Sequence, residues 1–199
     1  MRTIKHESYP DTHHDIYSKT TFGFWVYLMS DFVLFGALFA TYAVLSGSTF
    51  GGPTAKELFY PGFTLTQSLI FLVSALTVGI GGAAAHRKDK KMTLLMFGIT
   101  FLLGIAFMTM ELNEFSRLIS AGHGWNKAAF LSAYFTVVGT HGLHVVFGLL
   151  WIPILLFPVW REGITPESIR RLTCLRMFWQ FLNIIWVLIF SLVYLMGVV

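Results

Sequence analysis

An all-α integral membrane protein with five transmembrane helices is the fold that this 199-residue sequence predicts. Hydrophobic residues make up 55% of the chain and charged residues only 12%, a composition that is unusual for a soluble domain. Five apolar runs are each long enough to cross a hydrocarbon layer of about 30 Å, for which a helix needs about 20 residues. The segments between these runs are too short for a soluble catalytic domain, so we expect the chain to act in or beside the bilayer.

The predicted spans follow a polar tail formed by residues 1–21. This tail lacks the apolar core of a secretory signal, so we expect the first span to remain as an anchor. The fourth run is too long for one upright helix, which predicts tilt or a bend at Pro153. The five spans together form one domain over residues 22–199 and cover about residues 22–45, 63–85, 92–112, 129–158 and 176–198.

Two loops carry local signals. The sequence "TAKE" (residues 54–57) matches a helix capping box and predicts one short helical turn between the first two spans. After the third span, the helix is expected to continue past the membrane with Glu114 and Arg117 on one face, and to end near Gly122.

The distribution of positive charge predicts the orientation of the chain. Of the 14 Lys and Arg residues, only Lys56, Arg117 and Lys127 lie in the segments on one side of the predicted spans. Positive charge gathers in cytoplasmic segments, so we predict a cytoplasmic N-terminus and a periplasmic C-terminus. The net charge of +4 then reflects topology and attraction to anionic headgroups, and gives no support to nucleic-acid binding.

Two carboxylates lie in or at the ends of the apolar runs, Asp31 in "YLMSDFV" and Glu111 in "TMELNEF". Burying a carboxylate is unfavourable unless it is paired or protonated, so each is a candidate functional residue. Glu111 is expected about one turn from the outer end of its span, where it would be partly solvated or hydrogen-bonded, or would pair with a lipid headgroup or with a basic group of a partner chain. Trp25 and Arg87, near span ends, are further candidates for lipid or partner contact.

The fourth span contains two histidines, His141 and His144, in "GTHGLHVVFG". Metal ligation, proton transfer and structural hydrogen bonding are the alternatives. The pair shares one helix face, no other span has a histidine at depth to complete a haem site, and Asp31 is the only plausible third ligand for a metal. We therefore favour a structural role, with Gly139 and Gly142 allowing close helix packing around the histidines.

A rise of 1.5 Å per residue places Asp31 and His141 at similar depths, so that a contact between them is possible. Gln180 and Asn183 fall in the inner half of the last span, on one face. We therefore predict a structural polar layer across the inner half of the bundle. Its members are Asp31, His141, His144, Gln180 and Asn183.

The order of several long motifs resembles subunit III of the haem-copper terminal oxidases. The matching segments are "GFWVYLMSD", "MELNEF", "FLSAYFTVVGTHGLHVVFGLLW" and "FWQFLNIIWVLIFSLVYLMG". They cover nearly the whole chain after about residue 20. The five-span form looks most like the subunit III of bacterial ubiquinol oxidases of the cytochrome bo type, with the cytochrome c oxidase relatives more distant.

The resemblance implies a noncatalytic subunit of a complex in the bacterial inner membrane that oxidises quinol, reduces oxygen to water and pumps protons. It implies that haems and copper reside in subunit I and that this chain carries no cofactor and no metal. The implied partners are subunit I, as the main contact, subunits II and IV, and membrane phospholipids. Subunit III of a cytochrome c oxidase is the alternative within the family, and a haem-bearing anchor of a quinone-linked dehydrogenase and a small transporter are the alternatives outside it.

The last span departs from the family pattern, which usually has His and Asp where this chain has Gln180 and Asn183. Both replacements remove a titratable group and keep hydrogen-bonding capacity. This departure favours a structural polar layer over proton transfer at these positions.

Overall fold

The computed structural model describes residues 12–48 and 61–195, and the regular elements of this part are all helical. Five of its helices are long and apolar enough to cross a membrane, which confirms the predicted all-helical membrane fold. The predicted turn at residues 54–57 lies outside the described residues. The elements are α1 (Thr12–Leu45), α2 (Pro61–His86), α3 (Lys90–Ser120), α4 (Ala129–Glu162), α5 (Pro166–Ile189) and a π-helical turn (Phe190–Leu195) that continues α5.

Side-chain caps begin two of the helices. The Asp89 carboxylate accepts a hydrogen bond from the Met92 backbone N–H at 3.1 Å and starts α3 directly after the short turn that follows α2. The Thr165 hydroxyl accepts from the Ser168 N–H at 3.1 Å and starts α5, where Pro166 occupies a first-turn position that needs no N–H partner.

Helix α3 continues to Ser120, as the sequence predicts, and the chain then reverses at Gly122, whose φ of +82° favours glycine. Helix α4 contains Pro153 and Pro158 and remains one helix of 34 residues. At 1.5 Å per residue it is about 50 Å long, which exceeds the hydrocarbon thickness.

Helices α2 and α3 form the most extensive pair, and α5 packs against α2 and α4. Helix α1 lies against α4 and α5 at the edge of the bundle, and most of its side chains are exposed. The core therefore centres on α5, whose indole rings point between the other helices.

Three helices pack closely around Trp179, which is fully buried. A Cβ at Gly104 would lie 2.8 Å from the Trp179 ring, and one at Gly148 would lie 3.0 Å from it. The expectation of close packing at Gly139 needs correction, because a Cβ there would be 3.9 Å from its nearest neighbour. At Gly142 a Cβ would lie 3.3 Å from the flexible end of Met108.

Candidate functional site

A carboxylate and an imidazole from two helices meet inside the bundle. Asp31 of α1 and His144 of α4 bring Oδ2 and Nε2 to 3.7 Å. The other ring nitrogen of His144, Nδ1, lies 2.8 Å from the Thr140 carbonyl oxygen one turn earlier, so it must carry a proton and donate. In the neutral ring Nε2, which faces Asp31, therefore carries no proton. It attracts the carboxyl group only if one more proton is bound, either to Nε2 or to Asp31. Asp31 Oδ2 has no hydrogen bond at its present distance.

The second histidine of the pair points elsewhere. His141 is fully buried, and its Nε2 donates to the Leu182 carbonyl of α5 at 3.1 Å. Its ring lies among aromatic rings, with centroid distances of 5.3 Å to Trp186, 5.8 Å to Phe71 and 6.0 Å to Phe107. The imidazole thus fixes α4 to α5 and fills an aromatic box. Asp31 contacts His144 rather than hydrogen-bonding to His141.

The two amides of α5 lie at the edge of this region. Asn183 is 5% exposed, and its Nδ2 donates to the Trp179 carbonyl of its own helix at 3.0 Å. Gln180 is exposed and lies over Gly79 of α2. The structure therefore brings together Asp31 and His144 from the predicted layer, ties His141 and Asn183 to backbone carbonyls, and leaves Gln180 on the outer face of the bundle.

Of the alternatives for Glu111, the structure shows the hydrogen-bonded one and not the solvent contact. Glu111 is 1% exposed, because α3 continues beyond it and α2 covers it. The Gln67 side-chain amide donates to Glu111 Oε2 at 2.5 Å, which joins α2 to α3. Water and headgroups do not reach this carboxyl group in the isolated chain.

A third acidic residue, Glu114, lies in the continuation of α3 and is 2% exposed. Its Oε2 accepts a hydrogen bond from the Tyr194 hydroxyl at 3.0 Å, and the Tyr194 and Tyr134 hydroxyls are 2.8 Å apart. Tyr194 lies in the π-helical turn, whose wider winding carries this ring into the bundle. Glu111, Glu114 and their partners form a second polar cluster, in the half of α3 that follows Phe107.

Indole and hydroxyl groups join α2 to α5. Trp179 donates from Nε1 to the Ser74 hydroxyl, and Trp186 donates to the Ser68 hydroxyl, each at 2.9 Å. The sequence patterns did not single out these two serines or Gln67. An isolated Gln inside the apolar run "FTLTQSLIFL" was the available signal for Gln67.

The remaining predicted contact residues lie on the surface. Trp25 is 50% exposed on α1, and Arg87 is exposed in the turn between α2 and α3. In the part of the chain that the structure describes, no three or more His, Cys, Asp or Glu side chains are grouped so that they could hold a metal ion.

Sequence comparison identifies the family. The family described as cytochrome c oxidase subunit III matches residues 1–198. A cytochrome bo(3) ubiquinol oxidase subunit 3 from Pseudomonas aeruginosa is 49% identical over 94% of this chain and 90% of its own length. A cytochrome c oxidase subunit 3 from a Bacillus species is 41% identical over 96% and 92%. The quinol oxidase subunit 3 of Bacillus subtilis is 37% identical over 88% and 86%. With five spanning helices and a family match over nearly its whole length, the chain belongs to the subunit III family of the haem-copper oxidases.

Proposed function

We propose that this chain is the noncatalytic subunit III of a proton-pumping quinol oxidase, and that it stabilises subunit I. Members of the family are parts of multi-subunit oxidases, so the chain is expected to work in contact with partner subunits. The haems and copper of the complex are assigned to subunit I. The quinol donor is favoured because identity to the Pseudomonas ubiquinol oxidase subunit is 49%, against 41% to the Bacillus cytochrome c oxidase subunit.

The engagement of both deep histidines carries the proposal of a structural role. His141 donates to the Leu182 carbonyl and is enclosed by aromatic rings, while His144 donates to the Thr140 carbonyl and faces Asp31. A metal or haem ligand needs a ring nitrogen with a free lone pair directed to open space. The ring nitrogens that would have to bind a ligand are directed at protein groups or enclosed within the bundle. These contacts support helix–helix fixation.

The proposed location is the inner membrane of a bacterium, with the N-terminus in the cytoplasm and the C-terminus in the periplasm. The clustering of Lys and Arg around the turn between α2 and α3 and the start of α5 supports this orientation. Trp25 and Arg87 are then positioned for phospholipid headgroups at the cytoplasmic surface.

Purification of the complex through a tag on this chain tests the proposal. We expect haem-bearing subunit I to copurify, the complex to oxidise ubiquinol, and this chain to be colourless after detergent has separated it from the other subunits. Haem absorbance that remains with the separated chain would overturn the noncatalytic assignment. Oxidation of cytochrome c in place of quinol would overturn only the choice of electron donor.

A further inference from the structure

One arginine of α5 has a guanidinium group without a partner. Arg176 is partly buried, and its side chain crosses α2 at Gly82, where Cδ lies 2.7 Å and Nη1 3.2 Å from the position of an added Cβ. In the part of the chain that the structure describes, Arg176 has no carboxylate partner and no hydrogen-bond acceptor. A guanidinium carries five N–H donors and a permanent charge, so this position favours an anion from outside the chain.

Gln180 lies one turn farther along α5 on the same side of the helix. Its side chain is exposed, and Nε2 is 3.6 Å from the position of an added Cβ at Gly79. Like Arg176, it makes no hydrogen bond to the described residues. Gly79 and Gly82 lie three residues apart on α2, so Arg176 and Gln180 follow each other along one seam between α2 and α5.

The seam continues into an open apolar groove with a volume of about 400 Å³. Gln180 lines the groove, and beyond it the walls are formed by Leu72 and Ala75 of α2 and by Ile184 and Val187 of α5. Ile184 and Val187 are 58% and 43% exposed in the isolated chain. The polar and charged donors thus lie at one end of the groove, and its remaining length offers mostly hydrocarbon.

The seam has the length of one lipid leaflet. At a rise of 1.5 Å per residue, Val187 lies about 16 Å beyond Arg176 along α5. Half of a hydrocarbon layer of about 30 Å is about 15 Å. Arg176 lies toward the end of the bundle that carries the α2–α3 turn, where the exposed Arg87 adds positive charge. A cation at the membrane surface followed by one leaflet of apolar groove matches the shape and charge of an anionic phospholipid.

We infer that this seam binds one anionic phospholipid. The Arg176 guanidinium donates to the phosphate, because its planar fork suits two phosphate oxygens. Gln180 Nε2, about 6 Å deeper along α5, donates to an ester carbonyl of the glycerol, and one acyl chain lies in the apolar groove. The inference goes beyond the proposed function, since it requires only that the chain spans a membrane.

Lipid retention by the purified complex tests the site. Delipidated complex is titrated with phosphatidylglycerol, and the lipid that remains bound is counted by native mass spectrometry. We expect Arg176→Gln to weaken the tightest binding by about tenfold and Gln180→Leu to weaken it severalfold. Arg171→Gln is the matched control, because Arg171 is exposed and already paired with Glu167 at 2.6 Å. Equal binding by Arg176→Gln and Arg171→Gln would overturn the inference.

Two further probes on the unchanged complex do not depend on the folding of a variant. Phosphatidylcholine with the same acyl chains should bind severalfold more weakly than phosphatidylglycerol, because its headgroup carries no net charge. Equal binding of the two lipids would contradict the selection of an anion. Inorganic phosphate should not displace phosphatidylglycerol at equal concentration, and displacement would show that the groove contributes nothing.

A photocrosslinker separates lipid from protein as the occupant of the groove. A benzophenone amino acid at Val187 should crosslink to phospholipid, and crosslinks to another subunit in its place would overturn the inference. This outcome is distinct from failure of the proposed function. If a tag on this chain recovers no haem-bearing subunit, the proposed function fails, and the phosphatidylglycerol titration of the recovered chain still decides whether the lipid site exists.

Discussion

His144 Nε2 lies 3.7 Å from Asp31 Oδ2, and these two side chains link the peripheral helix α1 to α4. His144 Nδ1 already donates to the Thr140 carbonyl, so the attraction depends on one further proton held by the pair. The pair is largely shielded from solvent, which makes its attraction stronger than that of an exposed ion pair.

A double-mutant cycle with Asp31→Asn and His144→Ala should give a coupling free energy of about 1 kcal/mol or more in thermal unfolding of the complex. Glu167 and Arg171, which are exposed and 2.6 Å apart, provide the matched control. Their coupling should be about 0.5 kcal/mol or less, because solvent screens it. Equal coupling free energies in the two pairs would show that burial does not strengthen the interaction between Asp31 and His144.

His141→Ala should destabilise the chain by about 3 kcal/mol, since it leaves a cavity in the aromatic box and removes the donor to the Leu182 carbonyl. His86→Ala, at the exposed end of α2, is the control and should stay within about 0.5 kcal/mol. Thermal unfolding in detergent measures both. A His141→Ala chain as stable as the His86→Ala chain would refute the aromatic box as a stabilising element.

Gly104→Ala should lower the melting temperature, because the added methyl group would lie 2.7 Å from Leu149 and 2.8 Å from Trp179. Overpacking of this kind costs about 1–3 kcal/mol. Gly98→Ala on the same helix has no neighbour within 4 Å and should be neutral or stabilising. A lower melting temperature for Gly98→Ala than for Gly104→Ala would show that α3, α4 and α5 do not pack around Trp179 as described.

Glu111→Leu should destabilise the bundle by about 1–3 kcal/mol, because the buried Gln67 amide loses its acceptor. Glu111→Gln keeps an acceptor oxygen at the same position and should recover most of the loss. Thermal unfolding of the two variants compares them directly. If Glu111→Gln is as unstable as Glu111→Leu, the carboxyl group has a role beyond this hydrogen bond.

The sequence was sufficient to predict the helices, because long apolar runs are local signals. The five membrane-spanning helices and the continuation of α3 to Ser120 followed from these signals. The start of α1 at Thr12 could not be predicted in this way, because residues 12–21 are mostly polar and carry no apolar periodicity.

The contacts between helices were harder to predict, because they depend on rotation about each helix axis. Residue counting placed Asp31 and His141 at one depth, yet the rotation of α4 turns His144 toward Asp31 and His141 toward α5. The burial of Glu114 beside Tyr194 could not be predicted, because the sequence does not show the π-helical turn that contains Tyr194.

We propose that this chain stabilises the oxidase and carries out none of its redox steps. The most direct measurement is the rate of oxygen consumption by the intact complex carrying His141→Ala, followed from the first turnovers until activity is lost. We predict an initial rate per haem close to that of the unchanged complex, together with a lower yield of complex and a shorter active lifetime. A complex that assembles and persists normally but shows no initial oxygen reduction would contradict the account.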